Sequence, residues 1–293
     1  MNILRVLVLL LAAGTIASGQ GQMRRFYVTA IDDNGATVEG LTASDFTVKE
    51  GGRTRTLARV DPASAKMQIA IIVDDNGTGL FRVGVARFIE SLLGRAEFSI
   101  STVAGQTMRL VDYTTDTHEL SAAVARLGAR PGTNDGNQLL DGITGTAHEM
   151  AKRKAPRPNI VALTVGGQDV TPMEPDDALD ELRRGGAALY VVSVLNSAMR
   201  PTAAPTKASD LISEGHALHA MLGDGPKRSG GYREEISAMA GVDTRLQRLA
   251  DQLKHQYVLE YSLDGAKPSD RVSITSTRKD ITLRAPTHVP NKL

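Results

Sequence analysis

Asp74, Asn76 and Thr78 stand at alternate positions in one loop, and each carries a side-chain oxygen. Oxygens turned inward from such a loop are the donors that hard cations such as magnesium or calcium take, with water completing the shell. A second loop, Gly132-Thr133-Asn134-Asp135, offers more oxygens. Asp-Asn-Gly clusters also make ordinary turns and helix caps. Cation binding and plain loop chemistry both remain open for these residues. Asp74 with Asp75 could also begin a hydrolase or phosphoryl-transfer site. That chemistry needs a lysine and further carboxylates on later loops, and Thr133 and Gly166-Gly167 do not supply them.

Other chemistries find less support. The chain of 293 residues has no cysteine, which removes disulfides, thiolate catalysis and Cys-based zinc sites. It contains no Gly-x-Ser-x-Gly elbow and no Gly-x-x-x-x-Gly-Lys-Ser/Thr phosphate loop. His216 and His219 are three apart, and Glu214 or Asp210 could complete a zinc set on one helix face. The His-Glu-x-x-His pattern that would make this specific is missing. His148 has no second histidine at ligand spacing, and His255 at a helix C-terminus suits the dipole there. The formal net charge is +1. The basic run Lys152 to Arg157 has no aromatic neighbours, so nucleic acid is not an expected partner.

The elements that must position these residues follow from periodicity. Met67 to Asp74 (M-Q-I-A-I-I-V-D) is a short apolar run, which predicts a buried strand ending at the first aspartate. Asn159 to Val165 and Ala187 to Leu195 are similar runs. Between them lie amphipathic segments at Leu80 to Gly94, Asp116 to Leu127, Asn137 to Arg153 and Pro175 to Arg184. Val85, Phe88, Ile89 and Leu92 fall on one face of the first of these. Glu97 to Ala104 and Met108 to Tyr113, joined at Gly105-Gln106, predict a hairpin that adds one antiparallel edge strand. The whole is an α/β fold with a mainly parallel central sheet and helices on both faces. Open sheets of this kind place their sites where the strands end.

The segment from 197 to 232 is rich in Ala, Gly, Ser and Pro and predicts an extended loop with a short helical piece near Asp210 to Met221. Its charged residues Asp224, Lys227 and Arg228, with Arg233 just beyond, make a candidate protein-binding surface; plain solvation of a long insertion explains them equally well. Glu234 to Ala240 is expected to be helical, and Asp243 to His255 forms a further amphipathic helix. Strands at Gln256 to Tyr261, Val272 to Thr275 and Ile281 to Arg284 either extend the main sheet or pair with the N-terminal unit.

The first 19 residues, with an apolar run at Val6 to Ala13 and small residues Ala17-Ser18-Gly19, resemble a secretory signal peptide. The apolar run is short for a membrane span. Export, secreted or periplasmic, is the expectation, without stable membrane insertion. Residues 20–60 predict a small β unit, 61–66 a linker, 67–262 the α/β domain and 263–293 a β extension and tail.

The stretch F-Y-V-T-A-I-D-D-N-G-A-T-V-E-G-L-T-A-S-D-F-T-V-K-E-G-G, the strand ending at Asp74 and the closing H-Q-Y-V-L-E-Y-S together resemble exported bacterial proteins of the von Willebrand factor type A family. The resemblance implies a three-layer, Rossmann-like domain that binds partners rather than catalysing a reaction. In that family the first strand ends in Asp-x-Ser-x-Ser, which begins a metal-ion-dependent adhesion site. Its matches here are Asp74, Asn76 and Thr78, and the threonine of the second loop matches Thr133. The aspartate expected after the next buried strand is replaced at Gly166, with Asp169 nearby but displaced. The implied site is therefore degenerate, with magnesium or calcium held weakly if at all. The implied partner is another protein or a cell-surface component. The alternatives are a metal-assisted hydrolase on a similar sheet and a structural subunit of an envelope assembly.

Overall fold

A computed structural model describes residues 22–129, 136–194, 208–238 and 240–290, without the side chains of 208–214. In chain order the strands are β1 (Met23–Ile31), β2 (Phe46–Glu50), β3 (Arg53–Arg55), β4 (Leu57–Pro62), β5 (Met67–Asp74), β6 (Ala96–Ala104), β7 (Gln106–Thr114), β8 (Pro158–Thr164), β9 (Ala188–Val194), β10 (Tyr232–Ile236), β11 (Tyr257–Ser262), β12 (Val272–Ser276) and β13 (Thr282–Arg284). The helices are α1 (Arg82–Ser91), α2 (Thr117–Ala125), α3 (Leu139–Arg153), α4 (Pro175–Gly185), α5 (Ala208–Ser229) and α6 (Gly241–Lys254).

Six strands form the central sheet in the order β10-β9-β8-β5-β6-β7. All neighbours are parallel except β6 and β7, which turn at Gly105 into an antiparallel edge. The alternation of side chains along β5 divides the core. Ile69, Ile71 and Val73 pack with Phe88 of α1 and Leu246 of α6 on one face. Ala70 and Ile72 pack with Ile143 of α3, Leu182 of α4 and Met221 of α5 on the other. A strand buried on both faces reads as a near-continuous apolar run, as Ile69 to Val73 of β5 does.

The remaining strands form a second body. One sheet has the order β13-β1-β11-β4 and another the order β12-β2-β3. They share a core of Phe26, Val28, Phe46, Val48, Leu259 and Ile274. The expected boundary at 262 therefore needs correction. β11 lies inside that range, yet it pairs with β1 and β4 and not with the central sheet. Chain ends that are far apart in sequence close one β unit.

Two further expectations are corrected. The segment expected to be mostly loop contains α5, a helix of 22 residues. Ala217, Met221 and Leu222 bury one face of it against α4 and β9, and this packing outweighs a composition of small residues. Glu234 to Ala240 is not helical from its start, because Tyr232–Ile236 adds to the sheet beside β9. Tyr232 meets Tyr190 edge-on at 5.5 Å, and Arg233 pairs with Glu235 along this exposed edge.

A polar knot joins the two bodies. Arg157, only 3% exposed, donates from Nε to Gln256 Oε1 at 3.1 Å and from Nη2 to the Leu253 carbonyl. Its guanidinium lies over the Tyr27 ring at 5.2 Å. Gln256 Nε2 in turn donates to Thr29 Oγ1 and to Tyr190 Oη.

Candidate functional site at the end of β5

The parallel register carries Asp74 to the carboxyl end of the sheet, beside Thr164 at the end of β8. Asp74 is 3% exposed, and both of its oxygens are engaged. Asn137 Nδ2 donates to Oδ1 at 2.6 Å, and Thr164 Oγ1 donates to Oδ2 at 2.8 Å. The amide of Asn137 is oriented by its other end, where Oδ1 accepts from Gly105 N at 3.3 Å. A nitrogen, and not an oxygen, therefore faces the Asp74 carboxylate. Thr164 Oγ1 also accepts from Gly166 N at 2.9 Å, which directs its proton toward Asp74.

Burial pushes the Asp74 carboxyl up to about 7, and the charges of Asp169 and Asp75 act in the same direction. The bonds from Thr164 and Asn137 oppose the rise without cancelling it. Two neutral donors lower the cost of a dry carboxylate but do not remove it.

Asp169 is buried, and its two oxygens have specific work. Oδ2 accepts from Leu140 N at 2.9 Å, and Oδ1 accepts from Thr171 N at 2.9 Å. The first contact supplies a cap to α3, whose own Gln138 makes no side-chain cap. A short parallel bridge, Asn137 N to Gln168 O and Val170 N to Asn137 O, fixes Asp169 beside Asn137.

The other sequence candidates lie apart from this cluster. Asn76 is half-buried in a left-handed turn with φ of 52°. Thr78 is exposed and donates its hydroxyl to the Asp75 carbonyl at 2.8 Å. No hydrogen bond among the described residues links either of them to Asp74. Asp75 is fully buried; Oδ1 accepts from Gly77 N at 3.1 Å, while Oδ2 has no hydrogen-bond partner among the described residues. Gly166 has φ of 76° and open space where a Cβ would stand. Thr133 lies outside the described residues. Among those described, no group of three or more His, Asp or Glu side chains is placed to hold a metal ion. His216 and His219 are exposed on α5, and the side chains of Asp210 and Glu214 lie outside the description.

Sequence reasoning missed Asn137 and Thr164 as partners of Asp74. The signal for Thr164 was a polar residue closing an otherwise apolar strand. Asn137 carried no local signal, because its role depends on where Gly105 and Asp169 meet it. The surface candidates also move. Asp224, Lys227 and Arg228 belong to the last turns of α5, and Arg233 to β10, so they do not lie on a loop. Asp224 pairs with Arg228 at 3.9 Å. A helix that follows β9 and precedes parallel β10 ends at the opposite pole of the sheet from Asp74.

No protein-family profile and no curated protein matches this chain. Solved structures similar to it include a von Willebrand factor type A protein from Catenulispora acidiphila, at 10% identity and a TM-score of 0.47 over 93% of this chain and 76% of that one. Another is the von Willebrand factor domain of the type V pili tip protein Mfa5 from Porphyromonas gingivalis, at 10% identity and a TM-score of 0.46 over 65% of this chain and 96% of that one. A third is proximal thread matrix protein 1 from the mussel byssus, solved with a zinc-occupied metal-ion-dependent adhesion site, at 13% identity and a TM-score of 0.47 over 73% of this chain. The chain spans about 50% of the length of that mussel protein. The fold itself is fixed by the chain's own strand order, with β5 central, β7 the antiparallel edge and helices on both faces. That architecture is a von Willebrand factor type A-like fold.

Proposed function

We propose that this chain is an exported, non-catalytic protein-binding module whose Asp74 loop is a vestigial metal-ion-dependent adhesion site. One observation carries the reading: both oxygens of Asp74 accept from neutral side chains, with the amide nitrogen of Asn137 where a cation would approach. Thr78 spends its hydroxyl on its own loop, Asp169 caps α3, and Gly166 brings no carboxylate. These groups do not fit a divalent cation as they stand, since hard ions need several oxygens turned to one point. Binding is then a property of the protein surface. Export rests on the N-terminal segment, whose first 21 residues are outside the description; no helix among the described residues is long and apolar enough to cross a membrane.

Calorimetric titration with magnesium and calcium tests the vestigial site. Wild type and Asp74→Ala are expected to give the same negligible heat. Gly166→Asp restores a carboxylate where a Cβ has open space, at the cost of a side chain on a left-handed backbone with φ of 76°, and is expected to gain binding. Tight binding by wild type would sink the reading. So would metal-dependent turnover of an ester or phosphate substrate that disappears in Asp74→Ala, which is the hydrolase alternative.

A further inference from the structure

The outer face of the sheet β12-β2-β3 meets the last turns of α5 across a cleft of about 510 Å³. The antiparallel register sets Lys49 of β2 directly opposite Ser273 of β12. Side chains alternate along a strand, so Val272 and Ile274 enter the core of the β unit. Arg271 and Ser273 stand on the outer face beside Lys49. The segment 286–289 runs back along the start of β12. Val272 N donates to the Thr287 carbonyl at 3.1 Å, and His288 bridges to Arg271. Thr287 N donates to the Arg228 carbonyl at 3.1 Å, which fixes this segment against the end of α5.

The charges that line the cleft do not cancel. Lys49, Arg228 and Arg271 face a single carboxylate, Asp224, which pairs with Arg228 at 3.9 Å. Just outside, Asp270 pairs with Arg183 at 3.0 Å. Lys49 and Arg271 are exposed, and neither forms an ion pair among the described residues. Their positive charges remain, and the C-terminus of α5 offsets only about half of one. His288 feels this field. Burial lowers its pKa first, Arg228, Arg183 and Arg271 lower it further, and Asp270 opposes them. The hydroxyls of Ser273 and Thr287 line the same cleft. A guanidinium fork, an ammonium and these hydroxyls offer donors from several directions. A carboxylate has its oxygens in one plane, whereas a phosphate or sulfate group spreads its oxygens over a tetrahedron and meets such donors better.

We propose that this cleft binds a tetrahedral oxyanion, a phosphate or sulfate group, on Lys49 and Arg271, with the hydroxyls of Ser273 and Thr287 as further donors. The proposal goes beyond the protein-binding reading and does not rest on it. Calorimetry of the full chain with inorganic phosphate, run against chloride at constant ionic strength, tests it. Saturable binding by phosphate alone is expected, since screening is the same in both salts. Acetate is expected to bind far more weakly. Lys49→Ala and Arg271→Ala remove exposed side chains, and circular dichroism confirms that both variants are folded. Each is expected to weaken phosphate at least about tenfold, equivalent to roughly 1.4 kcal/mol. Lys279→Ala removes an exposed lysine that does not line the cleft and is expected to leave binding unchanged. The ring resonances of His288 are expected to shift on saturation, which marks where the anion sits. A sugar phosphate separates the sources: tighter binding than inorganic phosphate assigns the cleft to a phosphorylated sugar, and equal or weaker binding to the free ion. No saturable heat above chloride, acetate bound as tightly as phosphate, or wild-type affinity in both cleft variants overturns the site. Equal weakening by Lys279→Ala also overturns it, since that marks a diffuse effect of surface charge.

Discussion

Asp74 is a carboxylate held out of water by its position at the end of a buried strand. Its pKa stands at about 7 in the folded chain, against 3.8 as the ordinary value. Between those two pH values the native state holds a proton that the unfolded chain has released. Stability is therefore fully present below the lower value and falls as pH rises through the window. At ~1.4 kcal/mol per unit, the loss is on the order of a few kcal/mol. Asp74→Asn should flatten this dependence, since an amide can pair with Asn137 and Thr164 without a charge. Urea midpoints at acid and mildly alkaline pH, measured in chelator, check the prediction, and parallel profiles for the two proteins would refute it. Asn137→Ala acts on the same cluster. It leaves Asp74 Oδ1 without a partner in a dry site and Gly105 N without one at the half-buried hairpin turn. Stranded polar groups cost about 1–3 kcal/mol each, so a drop of roughly 2–4 kcal/mol in unfolding free energy is expected. At this scale the sequence marked Asp74 by its place after an apolar run, and the structure buries it at the end of β5. It could not mark Asn137, whose side chain is in place only because the Asp169 segment runs beside it.

Helix packing sets what the elements tolerate. Gly185 ends α4 where a Cβ would come within 2.6 Å of the Ala147 carbonyl oxygen of α3. The obstacle is backbone, so it cannot rotate aside. Gly185→Ala should force the two helices apart and cost about 1–3 kcal/mol by overpacking. Thermal denaturation should show the transition shifted down by several degrees, and an unchanged midpoint would count against close packing here. The same scale explains the misreading of α5. Helical propensity is a weak prior for a segment rich in Gly, Ser and Pro. What stabilises α5 is the apolar stripe of Ala217, Met221 and Leu222, which has value only once α4 and β9 stand opposite. β10 was hidden for the related reason that a charged strand of five residues at a sheet edge shows little periodicity.

Across the whole molecule, Arg157 ties the α/β body to the β unit. Burial lowers its pKa, and its partners are carbonyl oxygens and the Gln256 amide rather than an acid. Arg157→Ala should remove the tie between α6, Gln256 and the face of Tyr27. The expected result is a loss of roughly 2–4 kcal/mol, since buried charged hydrogen bonds contribute the most. Faster limited proteolysis between the two bodies should accompany it. An unaltered urea midpoint and cleavage pattern would remove this residue from the account.

The sequence by itself determined the layered α/β core, because each buried strand and each amphipathic helix announces its own burial through local periodicity. It also determined that a carboxylate would sit at the end of β5 and that no second carboxylate would stand at Gly166. Only the tertiary structure decided what those groups touch. It closed one β unit from both ends of the chain, set Asn137 and Thr164 against Asp74, and brought Lys49 and Arg271 together in a cleft beside α5. Periodicity is written among neighbours along the chain, whereas partnership depends on which distant segments the packed sheets bring into contact.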